Sequence, residues 1–322
     1  MSENVTNFRS AREKGIPGKG TMGDDYKKTL IDAIISREDA SGCWNVLTEN
    51  DPKYKYYKQW NHYVPTYSST LWTMVLIADI GSAYKKSRFL RPLNVISERF
   101  YDKDNGIFTL KDSHFPIPCL NGNMLYLHGF FESDDEVRVN TAIDFFARYQ
   151  RFDDGDYRTP SAFPYFSNKS CYGRHSCYWG IVKLLKGLSF IPKERRSANA
   201  IMLMKSCLEF ILLHEVCHSS KNPELFISKI IKDLTFPNMY KADFLEILWI
   251  LKREEVRSDK IDRALKLLES KMDDDGSWSM ERTMGKMVIP FSKKKYGNAL
   301  IDERANEVYS YYFNNMNGMK QP

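Results

Sequence analysis

The sequence predicts an all-α protein in which helical hairpins close into a ring, with an inner and an outer layer of helices. Two observations support this fold class. Apolar residues recur at i, i+3 and i+4 spacing in ten segments, whereas the alternation of a β-strand is nearly absent. A short turn signature also recurs between these segments. We expect one domain over residues 24–314, between a flexible polar arm at 1–23 and a flexible tail at 315–322.

The predicted helices are of two kinds. Residues 258–269 are amphipathic and charged, with Ser258 as the predicted N-cap. Residues 71–77 and 244–250 are apolar on all sides, and such a helix must be covered on all sides. The ten helices are predicted at 24–38, 68–80, 90–100, 121–131, 135–149, 175–190, 194–213, 240–252, 258–272 and 298–313.

The recurring turn joins an acidic residue, a glycine and an aromatic residue. It occurs at 39–44, 102–108, 153–157 and 273–278, and its glycines are 64, 49 and 121 residues apart. The last interval is about twice the shorter ones, so a unit near residues 214–220 is predicted to have lost the signature. Five hairpins of about 50–65 residues follow.

The end of the last helix favours a closed ring over an open superhelix. An open superhelix covers its terminal repeat with a polar face. Here the last predicted helix ends in Val308-Tyr-Ser-Tyr-Tyr-Phe313. We therefore expect the apolar helices to form an inner barrel. An open solenoid and an irregular helical bundle are the alternatives.

Composition excludes several classes of protein. The 322 residues are 43% hydrophobic and 27% charged, as in globular proteins. The net charge of +6 is mild and the basic residues are interleaved with acids, so no nucleic-acid partner is expected. No apolar run reaches the ~20 residues of a membrane span, and the N-terminus does not resemble a secretory signal. We predict a cytoplasmic protein; its oligomeric state and any contact with a membrane surface stay open.

A cysteine and histidine motif precedes one apolar helix. Cys171, His175 and Cys177 offer the thiolates and imidazole that Zn²⁺ prefers, and Cys119, before another such helix, is a further predicted metal ligand. Positions 171 and 175 share a face of a helix but 177 does not, so a site using all three requires irregular backbone near Gly173. The alternatives are a core cysteine at 177, a capping histidine at 175 and a buried cysteine at 119.

Further candidate residues lie where the apolar helices begin. Asp243, His175 and Cys177 are the predicted catalytic residues, although an acid at 243 could instead complement the helix dipole. Aromatic faces stabilise cations by ~0.5–2 kcal/mol, so aromatic residues here suit a carbocation or an apolar chain, with core packing as the alternative. The predicted substrate-binding residues are Trp60, His62, Tyr63, Tyr67, Trp72, Asn121, Tyr126, Tyr178 and Tyr240.

The turns at 153–157 and 275–278 resemble the repeats of the squalene cyclase and protein prenyltransferase superfamily. With the segments 119–123, 149–155 and 171–177, the chain resembles short single-domain prenyltransferase or squalene oxidase repeat proteins. The resemblance implies an α/α toroid with an aromatic central cavity, acting on a small apolar, isoprenoid substrate by cyclisation or by zinc-assisted transfer to a thiol. The Asp-x-Asp-Asp and Asp-Asp-x-x-Asp motifs of isoprenoid cyclases are missing. The alternative is a non-catalytic ligand-binding toroid with a structural zinc.

A second cluster, His214-Glu-Val-Cys217-His218, resembles the Cys-His pair of lanthionine synthetase-like toroids. That resemblance implies an alternative zinc trio of Cys171, Cys217 and His218 with thiol chemistry. The pair departs from the family because serines rather than a glycine follow it, and because it ends an outer helix. The competing interpretation is a histidine-rich helix C-terminus, where the helix dipole favours positive charge.

Overall fold

The computed structural model describes residues 25–81, 84–110, 115–156, 158–166, 169–291 and 297–314. It confirms an all-α chain; the predicted arm and tail lie outside these residues. Two short strands, β1 (Tyr101–Asp102) and β2 (Ile107–Phe108), pair antiparallel. The described α-helices are α1 (Asp25–Ile35), α2 (Tyr54–Tyr57), α3 (Thr70–Ile80), α4 (Leu90–Phe100), α5 (Pro118–Phe130), α6 (Glu136–Tyr149), α7 (Lys169–Tyr172), α8 (Tyr178–Ser189), α9 (Ala198–Leu213), α10 (Phe244–Arg253), α11 (Asp262–Ser270) and α12 (Asn298–Tyr309).

Every predicted helix has a counterpart, and the bounds differ from the predicted ones by up to four residues at either end. Helix α8 begins three residues later than expected because Cys177 is an N-cap with extended backbone. Helix α10 begins at Phe244 because the Asp243 side chain caps it. Ser258 is an N-cap as predicted, although a 3₁₀ turn at Asp259–Ile261 precedes α11.

The two predicted kinds of helix are present. All eleven residues of α3 are buried, as are ten of thirteen in α5, eleven of twelve in α8 and seven of ten in α10. We call these four the buried helices. By contrast, α6 buries four of fourteen residues and α11 three of nine. The charged helices therefore cover the apolar ones with one face each.

The recurring turns have one backbone design. Their glycines have positive φ, at +79° for Gly42 and +81° for Gly276, a conformation in which a Cβ would be strained. In both turns the following tryptophan returns to the preceding helix, since Trp44 Nε1 donates to Ile34 O at 2.9 Å and Trp278 Nε1 to Leu268 O at 2.8 Å. In the unit without the signature, a bridge between His218 and Phe226 follows α9 instead.

Helices α5 and α8 make the closest packing between elements. A Cβ on Gly122 would lie 2.2 Å from the carbonyl carbon of Lys183, so this crossing excludes any side chain at position 122. The approach sets the start of α5, with Cys119, beside the start of α8, with Cys177. It also buries Lys183 and Lys186 completely.

Residues from both ends of the described chain meet. Tyr26 on α1 donates to Glu303 on α12 at 2.8 Å, and Arg304 on α12 lies 4.0 Å from Asp79 on α3. One continuous cluster of buried apolar side chains runs from Tyr26 to Tyr312. In the described part of the chain, none of the helices has the length and apolarity needed to span a membrane.

Candidate functional site

Three thiols gather at the N-terminal ends of α5 and α8. Cys171 lies in α7, and the chain reverses after it through a bridge between Tyr172 and Ser176. Cys177 N–H then donates to Cys171 O at 3.1 Å, and the two thiols hydrogen-bond each other. Cys119, in the first turn of α5, interacts electrostatically with both. The backbone between 173 and 177 is thus irregular, as a site here requires.

The two bonded thiols have opposite acidities. The Cys171 hydrogen bond and the backbone N–H groups of Trp179 and Gly180 lower the pKa of Cys177 to about 6, against the effect of burial. The hydrogen bond to Cys177, with burial, raises the pKa of Cys171. Burial raises the pKa of Cys119 to about 12. Cys177 is therefore the most acidic of the three thiols.

Four of the predicted substrate-binding rings form a contiguous aromatic group, which comprises Tyr63, Tyr67, Trp72 and Tyr240. The centroid of Trp72 is 5.1 Å from Tyr63, 5.9 Å from Tyr67 and 6.3 Å from Tyr240. Tyr67 and Tyr240 stack at 6.2 Å. Burial raises the pKa of Tyr63, and its next-largest interaction is with Cys119. The aromatic group and the thiols therefore share one face, partly open to solvent at Cys119, Cys177 and the tyrosines.

The other predicted substrate-binding residues have partners elsewhere. His62 bonds Thr70 Oγ1 at 3.0 Å, and Trp60 lies against Tyr57. The Asn121 amide bonds Phe108 N and O at 2.9 and 2.8 Å and so holds β2. Tyr126 donates to Asp79 at 3.0 Å deep between the helices, and Tyr178 donates to Val216 O beside α9.

The predicted catalytic residues do not come together. The His175 side chain is 65% exposed, with Nδ1 3.4 Å from Asp154 Oδ1, whereas Cys177 faces Cys171. Asp243 is an N-cap that accepts from Glu246 N at 2.7 Å and Thr235 N at 2.6 Å. Burial raises the pKa of Asp243 to about 7 despite these bonds.

The second predicted cluster lies at the end of α9. His214 Nδ1 bonds His218 O at 3.1 Å, and its Nε2 is 3.7 Å from Asp154. His218 stacks on Phe226, and Cys217 is fully buried. In the residues that the structure describes, no three His, Cys, Asp or Glu side chains are arranged as ligands of one ion. Both zinc sites stay predictions.

Sequence reasoning missed an ionic cluster between the buried helices, formed by Asp79, Lys183, Lys186, Glu246 and Arg304. Lys183 bonds both Glu246 oxygens, at 2.9 and 2.7 Å, and Lys186 bonds Glu246 at 2.7 Å and Asp79 at 2.6 Å. Burial lowers the pKa of Lys183; the cations lower that of Asp79 against its burial. The sequence did contain a signal for this cluster, because a charged residue inside a helix that is apolar on all sides must be buried and therefore needs a partner.

Two cavities lie away from the aromatic group. A groove of about 870 Å³ is lined by residues between 156 and 174, including Arg158, Tyr165, Lys169 and Arg174. A pocket of about 230 Å³ lies between the end of α5 and the start of α6. The first borders the thiols, because Tyr165 packs against the small apolar cluster that contains Cys171.

No protein-family model matches this sequence, and no curated protein is significantly similar to it.

Proposed function

We propose that the chain is an α/α toroid related to the terpenoid cyclases and prenyltransferases. Less-buried and buried helices alternate in four pairs along the sequence, α1/α3, α4/α5, α6/α8 and α9/α10, and α11 with α12 follows as a fifth pair. Contacts of α12 with α1 and α3 support closure of the first pair on the last. The ionic cluster supports a common centre, because α3, α8, α10 and α12 each contribute a charge to it.

We propose further that this toroid is an enzyme acting on an apolar, isoprenoid-like substrate at the face shared by the aromatic group and the thiols. One observation carries this proposal, namely that the group of three thiols interacts with Tyr63 through Cys119 and Cys171. The rings offer an apolar wall that tolerates positive charge, and the Cys177 thiolate is a nucleophile beside it. The substrate chain would lie on the rings with its reactive end toward the sulfur.

Zinc is the cofactor that the donor set suits. Three sulfurs are soft ligands, and the pKa of one of them, Cys177, is lowered. Cys119, Cys171 and Cys177 would hold the ion after moving closer together, because no three ligands surround one point in the described residues. His175 instead faces Asp154. A bound zinc would supply a Lewis acid and keep a thiol ionised. The chain's own residues orient the substrate on the rings and keep the sulfurs at a partly covered face.

The second candidate is a ligand-binding toroid without catalysis. It is favoured by the ionic cluster, since fixed charges occupy the space between helices where the superfamily resemblance implies a cavity. It is also favoured by Asp243, because the carboxylate of this predicted catalytic residue caps α10 instead. In this alternative the zinc would only fasten the starts of α5 and α8.

The test uses the full chain, purified with a reductant present throughout. Its metal content is measured, and the small molecules extracted from it are identified by mass spectrometry. We expect an apolar isoprenoid in the extract and zinc in the wild-type protein. The Cys177→Ser variant should lose this zinc. The control variant Cys207→Ser, which changes a buried cysteine of α9, should keep it. Added farnesyl diphosphate and a small thiol should release diphosphate if the protein is an enzyme. Binding without release would support the second candidate. If farnesol neither binds to the protein nor slows the alkylation of Cys177 by iodoacetamide, both candidate functions are wrong.

A further inference from the structure

The geometry around Cys171 and Cys177 is that of a dithiol that can form a disulfide bond. The bridge between Tyr172 and Ser176 and the bond from Cys177 N–H to Cys171 O set the two residues side by side across a reversing chain. Their thiols are already in hydrogen-bond contact. A disulfide needs neighbouring Cα atoms of this kind, so little backbone movement separates the reduced pair from the oxidised one.

The two sulfurs differ in ways that suit sequential roles. Cys177 is the N-cap residue of α8, a helix of twelve residues, and is partly exposed. Cys171 is buried behind it, at 9% exposure. Cys177 is therefore the attacking sulfur and Cys171 the resolving one.

The neighbouring groove indicates what kind of molecule approaches. Its lining includes Arg158, Lys169 and Arg174 against one acid, Asp156. Tyr165 belongs both to this lining and to the apolar side chains packed on Cys171. A basic groove that shares Tyr165 with the surroundings of this cysteine pair attracts an anionic disulfide.

We propose that Cys171 and Cys177 are a redox dithiol that exchanges with small anionic disulfides. The Cys177 thiolate attacks one sulfur of the substrate disulfide, forming a mixed disulfide and releasing the first substrate thiolate, which takes up a proton from solvent. Cys171 then loses its proton and attacks the Cys177 sulfur, forming the internal disulfide and releasing the second thiol. Two electrons pass from the protein to the substrate, and a thiol in excess reverses the sequence.

The experiment mixes the reduced full chain with glutathione disulfide and follows released thiol and intact protein mass. We expect the wild type to lose two hydrogens, with a Cys171–Cys177 linkage in its peptides. Cys171→Ser should stop as a stable glutathione adduct on Cys177, Cys177→Ser should slow thiol release at least about tenfold, and the control Cys207→Ser should match the wild type. A stable adduct on the wild type, or a first adduct on another cysteine, would overturn the proposal.

Charge selection has its own test. Replacing Lys169 by glutamate should slow the reaction with glutathione disulfide several-fold and accelerate the reaction with cystamine, a cationic disulfide. Equal effects on both probes would remove the groove from the proposal.

The inference uses the thiols of the proposed function, so zinc is measured on the same sample. Formation of the internal disulfide supports the exchange activity whatever the zinc content. Stoichiometric zinc without exchange, even after chelation, overturns the exchange activity and leaves the proposed zinc site. A sample with neither zinc nor exchange overturns both.

Discussion

The ionic cluster and the thiol–aromatic face are two polar regions built on the same buried helices. They differ in how far their side chains are buried and bonded to partners within the protein. In the ionic cluster, Lys183 and Glu246 have no exposed surface and bond each other twice. At the thiol–aromatic face, Cys177 and Tyr240 remain partly exposed, and the contacts are thiol bonds and ring edges. The comparison separates residues that hold the helices together from residues that can meet a ligand.

The ionic cluster should respond to mutation far more strongly. Glu246→Ala leaves the ammonium groups of Lys183 and Lys186 without their shared carboxylate, and breaking a buried pair in this way costs about 3–5 kcal/mol. Urea unfolding measures the loss. The control Glu209→Ala removes an exposed partner 3.9 Å from Lys205 and should cost less than about 1 kcal/mol.

The deficit of Glu246→Ala should also depend on pH. An unpaired buried lysine has a folded-state pKa below its unfolded value, so its penalty is full at low pH and disappears as pH rises toward the unfolded value of about 10.4. Unfolding at pH 7 and pH 9.5 tests this. A deficit that grows with pH would show that a buried lysine is not the group left unpaired.

The cap of α10 lies between the two regions and should have an intermediate effect. Asp243→Ala removes the acceptor of two buried N–H groups and should cost about 1–3 kcal/mol. Because burial raises the pKa of Asp243 to about 7, its protonation favours the folded state most below pH ~4, and this contribution is lost as pH rises through 7. Asp243→Asn should flatten the pH dependence of unfolding between 4 and 7. An unchanged slope would mean that Asp243 stays ionised in the folded protein.

The aromatic group should matter more for binding than for stability. Tyr240→Leu removes ring contacts with Tyr67 and Trp72 and should cost about 0.5–1.5 kcal/mol in unfolding. Tyr309→Leu, which breaks the stack between the last residue of α12 and Phe313, is the matched control of similar cost. The affinity for farnesol, measured by fluorescence titration, should fall only in the Tyr240→Leu variant. Equal weakening in both variants would assign the group to packing.

The smallest effect on stability is expected at the reactive thiol. Serine is itself a favoured N-cap, so Cys177→Ser should change the free energy of unfolding by less than about 0.5 kcal/mol. Alkylation by iodoacetamide at pH 7 should nevertheless fall sharply. A loss above about 2 kcal/mol would instead make Cys177 part of the structural core.

Sequence periodicity was enough to locate the helices but not to assign side chains to sites. Tyr63 and Tyr126 were predicted to have one role, yet one joins the aromatic group and the other donates to Asp79. His175 and Cys177 were predicted to bind one ion, yet a single residue between them turns their side chains apart. Which way a residue next to a helix start points depends on where that helix begins, and its boundary is set by capping bonds that periodicity does not report.

The amino-acid sequence alone determined that the chain is helical, that charged and apolar helices alternate, and that glycine turns separate them, because these properties depend on neighbours a few residues away. Only the tertiary structure decided that Asp79, Lys186 and Glu246 meet, and that Cys119 reaches Cys177. These groups are brought together from distant segments by close contacts such as that of Gly122 with α8, and such contacts depend on how whole helices pack.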